Sequence, residues 1–217
     1  MAELVEHRDL SPASVGLAFL PFTLGVGLLS RFFGGPADTF GARRMLVAGA
    51  VCASAAYIWM ALAQGATLVP GVVLPQALLG ISFAVMVAPL TASVLSSVTA
   101  SDEGLASGIN NAIARVAGVL AIAILGIVLV KSFSFDLNRS LAGRSVPPDT
   151  LQYVYANETK LAGVDLPSGL EPATAMLLRT SISRAFVFGF RIAMLICAGL
   201  SLASALVAWL MIPAKAG

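Results

Sequence analysis

Ser107, Asn111 and Arg115 interrupt an otherwise apolar run at spacings of i, i+4 and i+8. On a helix that spacing puts all three on one face. Such a face can hydrogen-bond to a neighbouring helix or gate a polar path, but its arginine does not deprotonate and so carries no proton. A charge well inside a membrane span costs at least a few kcal/mol when it faces lipid, so the face is expected to point into a helix bundle. Arg115 lies roughly 15 Å along the helix from Leu105, near the limit from which an arginine can snorkel to the interface. Packing at the cytoplasmic end and a gating or interhelical hydrogen-bond role both fit it. A second group sits in the connector Gly34 to Arg44, GGPADTFGARR, where Asp38, Arg43 and Arg44 gather between two glycines, Gly34 and Gly41. Asp38 there can cap a helix starting near Gly41. A third feature is Pro89, which removes one backbone hydrogen bond and should kink its helix unless a neighbour satisfies the freed carbonyl. Ser93 and Ser97, one turn apart, are placed to hydrogen-bond across to the Asn111 face. Gly25, Gly27, Gly80, Gly118 and Gly126 are expected to let helices approach closely.

Catalysis has no comparable support. The single histidine, His7, lies outside every apolar stretch, and no HExxH, CxxC or GxSxG pattern occurs. No metal site or cofactor is expected. Cys52 and Cys197 both sit in apolar stretches and read as small buried hydrophobes.

The elements that position these residues follow from composition. The 217 residues are 58% hydrophobic and only 11% charged, against about 25% charged for a soluble domain. Lipid is the expected solvent, and the fold class is an all-α integral membrane bundle. Five spans emerge at about 14–33, 44–64, 71–98, 105–130 and 186–212, each near the twenty residues that cross a core roughly 30 Å thick. The organisation is an N-terminal tail at 1–13, four spans in 14–130, a loop at 131–185, and a final span with a short tail at 186–217. The loop holds most of the remaining charge and the Pro147-Pro148 pair. Two modest helices are plausible within it, about 149–161 and 171–184, the second with Pro172 at its first position. Ser101 reads as an N-cap, with Asp102 and Glu103 complementing the helix dipole. The net charge of +2 and the lack of a basic cluster argue against nucleic acid.

Arg31, Arg43 and Arg44 flank the first short loop and the next loop carries no charge, which puts the first loop in the cytoplasm. Arg8, Lys131, Arg179, Arg184 and Arg191 pull the other way. Charge alone leaves the two sides in competition; the likeness of the connector to a known family's cytoplasmic loop decides for the cytoplasm, which places the 1–13 tail and the 131–185 loop outside and Lys215 inside.

The connector resembles the loop signature of the major facilitator superfamily, through Gly34, Ala37, Asp38, Gly41, Arg43 and Arg44. Pro36, Thr39 and Ala42 depart from it. Residues 88–118, APLTASVLSSVTASDEGLASGINNAIARVAG, resemble a segment of that family's fourteen-helix drug:proton antiporter branch. Pro89, Leu90, Thr91, Ser96, Gly104, Ala106, Ser107, Gly108, Asn111, Arg115 and Gly118 carry this second likeness. Ser11-Pro12 and Gly16 to Pro21 are similar to the start of a late helix there. The resemblance implies the last five helices of fourteen, part of a carboxy-terminal half-bundle, and hence a fragment. It implies a charge-relay latch between Asp38 and Arg43 or Arg44, weakened by Thr39. It implies part of a secondary transporter exporting drug-like small molecules, with protons handled by the amino-terminal half, and the Ala/Gly/Val-rich composition suggests the plasma membrane of a bacterium. The alternative is a non-transporting remnant or a helical assembly partner.

Overall fold

The computed structural model describes residues 16–17, 19–33, 40–63, 67–144, 146–167 and 169–213, with the side chain of Arg31 left aside. Every regular element among them is helical. In chain order they are α1 (Leu20–Leu29), continued by a 3-10 turn (Ser30–Phe32), then α2 (Ala42–Leu62). A π-helical turn (Val69–Val73) runs straight into α3 (Leu74–Leu95). There follow α4 (Glu103–Leu141), α5 (Pro148–Ala156), a second 3-10 turn (Glu158–Gly163) and α6 (Pro172–Met211). Among the described residues four helices are long and apolar enough to cross a membrane, and α1 is a shorter apolar one of 10 residues.

The chain divides into two compact units. In the unit formed by Gly16–Ala121 and Met194–Gly217, α3 is central. One of its faces receives α1 through glycine. A Cβ added at Gly80 would lie 2.8 Å from the Phe22 carbonyl oxygen and 3.0 Å from Phe22 Cα, and one at Gly25 would lie 3.0 Å from Gly80 Cα. Backbones that close exclude any side chain at either position. Phe22 and Phe83 meet edge to face beside this contact, with ring centroids 5.6 Å apart. The other face of α3 receives α2. Ala53, Ala56 and Leu79 form its buried centre, with Phe22, Tyr57, Met60 and Leu78 around them. Gly49 makes room for the Met86 side chain there. Ser82, fully buried, donates its hydroxyl to the Leu78 carbonyl at 2.7 Å, so it packs without an unpaired donor.

The unit Ile122–Ala193 has a core of its own. Phe133, Leu137 and Leu141 recur at i, i+4 and i+8 along α4, and Leu178, Ile182 and Ala185 along α6. Val146, Val154 and Val164 close this core from the segment between the two helices. At Gly189 the helices come within backbone distance, since a Cβ there would sit 3.0 Å from the Leu129 carbonyl oxygen. Ser134 donates its hydroxyl to a Glu158 carboxylate oxygen at 2.6 Å, tying the second 3-10 turn to α4.

Several expectations change here. The fourth helix does not stop at 130 but runs to Leu141, and it ends before Gly143, whose φ of +74° is a glycine conformation. The last helix does not begin at 186 but at Pro172, and it continues unbroken for 40 residues. A charge is no helix terminator, so Lys131 and Arg184 were poor places to end a helix. At about 1.5 Å per residue, helices of 39 and 40 residues exceed a hydrocarbon core of roughly 30 Å by a wide margin.

Candidate functional site

Gly41 and Arg43 open α2. Gly41 is buried with φ 84° and ψ 142°, a region that essentially only glycine occupies. That geometry turns the chain into the helix and explains a glycine at this position in local terms. Arg43 follows in the first turn, and Arg44 beside it is exposed. The Arg43 guanidinium stacks on the indole of Trp209, with Cζ 3.9 Å from the ring centroid, and its Nε is buried without a hydrogen-bond partner among the described residues. Trp209 lies in the last turn of α6. The expected carboxylate partner, Asp38, lies outside the described residues, as do Gly34, Ala37 and the departing positions Pro36 and Thr39.

Pro89 is buried inside α3, and the helix passes through it from Leu74 to Leu95 without a break. The hydroxyls around it bond within their own helix. Thr91 donates to the Val87 carbonyl at 3.0 Å, Ser93 to the Pro89 carbonyl at 2.8 Å, and Ser97 to the Val94 carbonyl at 2.7 Å. Ser93 and Ser97 therefore do not reach across to the Asn111 face. Short hydroxyl side chains find the carbonyl one turn back before they find another helix.

On α4, Ser107 is half-buried, whereas Asn111 and Arg115 are exposed. The helix is uncovered along its whole first half: Leu105, Ile109, Ile113, Val116 and Val119 are each more than half exposed. The expectation that this face is buried in a bundle is thus not met by the described residues. An apolar helix carrying a polar strip stands here without a cover. The start of α4 is also one residue off. Glu103 opens the helix, so Asp102 holds the capping position in place of Ser101, and its carboxylate accepts a 2.8 Å hydrogen bond from Thr99. Of the five glycines read as packing sites, Gly25 and Gly80 serve that purpose, while Gly27, Gly118 and Gly126 have open space around them. Gly49 and Gly189 make close approaches that sequence reading missed. Cys52 is exposed and Cys197 half-buried, neither a core residue, and both are free.

Asp136 falls in the 131–185 segment expected to be a loop, but it lies within α4 and is 7% exposed. Its Oδ2 has no hydrogen bond, and Arg184 Nε stands 3.8 Å away on a side chain 74% exposed. Such a pair is screened by water and holds little. Its register beside Phe133 and Leu137 was the available signal. Among the described residues no group of three or more His, Cys, Asp or Glu side chains could hold a metal ion.

Four helices among the described residues, long and apolar enough to cross a membrane and two of them packed through glycine, define a multi-pass membrane protein. Residues 1–138 match the model of the Major Facilitator Superfamily, and the chain belongs to that family. It is 30% identical over 149 residues to the multidrug resistance protein Stp of Mycobacterium tuberculosis strain H37Rv, over 69% of this chain and 27% of that protein. It is 31% identical over 121 residues to the lincomycin resistance protein of Streptomyces lincolnensis, over 56% of this chain and 25% of that protein. The chain thus spans about a quarter of the length of the curated relatives it matches. Family membership points to a transporter rather than an enzyme, in the membrane of a bacterium and in contact with its lipid.

Proposed function

We propose that this chain works as the carboxy-terminal part of a secondary active transporter that exports drug-like small molecules in exchange for protons. The observation that carries the reading is the uncovered first half of α4, where Asn111 and Arg115 stand exposed on an apolar helix. Lipid alone is a poor neighbour for an arginine and an asparagine at depth. A second set of helices would cover the strip and turn it into one wall of a polar path, with substrate bound between two half-bundles. The names of the relatives, a multidrug and a lincomycin resistance protein, give the substrate class its support. Proton movement is assigned to the amino-terminal helices. In the sidedness taken here, Asp38, Asp102 and Glu103 lie in cytoplasmic turns and the other eight of the eleven acids lie in the tail or the 131–185 region.

The experiment is a resistance assay in a drug-sensitive bacterium. The chain alone should give no resistance. If nine further spans are encoded upstream, in frame or as a neighbouring gene, their co-expression with this chain should raise the tolerated drug concentration, and Arg115→Leu should remove that gain while protein levels hold. Resistance that survives Arg115→Leu intact would end the gate role of this strip.

Sidedness has its own test. Residues 131–185 are proposed to lie outside and Gly34 to Arg44 inside. Trypsin added to intact cells should cut at Arg144, exposed in the connector between α4 and α5, and spare Arg43 and Arg44. A cut at either of the latter from outside would invert the orientation.

A further inference from the structure

We propose that the Arg43–Trp209 stack is a latch that fastens α6 to α2 and sets how tightly the two helices pair. The use of such a latch in transport rests on the transporter reading above; its existence does not. Arg43 occupies the first turn of α2, where free backbone N–H groups make the helix end positive and a cation is unwelcome. Something must offset that. The face of an indole does so, being negative and flat, and Arg43 Cζ sits 3.9 Å from its centroid. The buried Nε has no hydrogen-bond partner among the described residues, and the indole face is what the guanidinium meets there. A contact of this kind is moderate and reversible, unlike a buried bidentate ion pair.

A second pair of residues on the same two helices points the same way. Tyr57 of α2 and Cys197 of α6 lie within electrostatic reach of each other. Arg43 precedes Tyr57 in α2, while Trp209 follows Cys197 in α6, so the two helices run antiparallel. The seam between the two contacts is about 20 Å long at 1.5 Å per residue. Releasing Arg43 from Trp209 frees one end of that seam and loosens the other. A tryptophan that only anchors a helix end at the membrane interface would have no such distant effect.

The test reads the far end. In a Cys52→Ala background of the full 217-residue chain in lipid nanodiscs, Cys197 is the only thiol, and its alkylation by a membrane-permeant maleimide is timed. Arg43→Gln and Trp209→Ala should each speed the reaction, by about threefold to thirtyfold if the stack has its usual strength. Arg43→Lys and Trp209→Phe, which keep only a weaker cation–ring contact, should give rates between the parent and the truncations, and they serve as well if Trp209→Ala fails to accumulate. Arg44→Gln, an exposed cation one residue away, should change nothing. Equal Cys197 rates in Arg43→Gln and the parent would overturn the latch, as would an equal rise with Arg44→Gln. Because no transport is measured, failure of the efflux assays leaves this result standing, and failure here leaves the efflux assays standing.

Discussion

Gly80→Val should lose the packing of α1 on α3 and leave little folded protein. The added Cβ alone would come within 2.8 Å of the Phe22 carbonyl oxygen and 3.1 Å of the Pro21 carbonyl oxygen. Both are backbone atoms, so no side chain can swing away, and the helices themselves must part. Overpacking of this kind costs about 1–3 kcal/mol where side chains can yield, and a backbone clash belongs at or above the top of that range. Parting also breaks the Phe22–Phe83 contact. The matched control is Gly27→Val, two residues beyond Gly25 on the same helix, where a Cβ meets nothing within 4 Å. The measurement is the yield of monodisperse protein in detergent with its thermal midpoint. Gly27→Val should behave as the parent does. Equal midpoints for the two variants would mean that α1 does not sit on α3 as described.

The second large effect belongs to the unit Ile122–Ala193. Phe133 is fully buried at the centre of its core, and truncating a buried phenylalanine removes about 3–5 kcal/mol. A core closed by three valines and a few turns of two helices has little to spare against that loss. Phe133→Ala should therefore open the unit, and limited proteolysis at Arg144 and Lys160 should speed up many-fold. Phe135→Ala, on a side chain 61% exposed, should not change the digestion pattern. If residues 131–185 were an unstructured solvated loop, both variants would be digested like the parent, and the separate core would have to be abandoned.

Much of this molecule is written plainly in its residues. The apolar runs named the spans, and the glycines at Gly41, Gly25 and Gly80 stand where geometry needs them. Pro172 opened its helix as its fixed φ requires. Charge misled where it was taken as punctuation. Lys131, Asp136 and Arg139 lie within a continuing helix, and the Phe133–Leu137–Leu141 stripe was the better guide to its extent. Partners at long sequence separation were out of reach for a different reason. Nothing near Arg43 in the chain announces Trp209, because the two meet only when α2 and α6 pair. Gly49 and Gly189 were missed for the same cause: a glycine shows that a close approach is possible, and only the neighbouring helix decides where one occurs. The strip on α4 lies on a continuous helix, Ser107 half-buried and Asn111 and Arg115 exposed, and the cover expected for it is not among the described residues.

The most direct test of the account is drug-driven proton movement in sealed vesicles. Vesicles holding only these 217 residues should show no change in internal pH when drug is added. Vesicles holding the chain together with an amino-terminal half that completes the transporter should dissipate an imposed pH gradient as drug moves, and Arg115→Leu should stop them. Drug-driven proton flux through this chain alone would contradict the account and require a proton-carrying group and a complete substrate path within these helices.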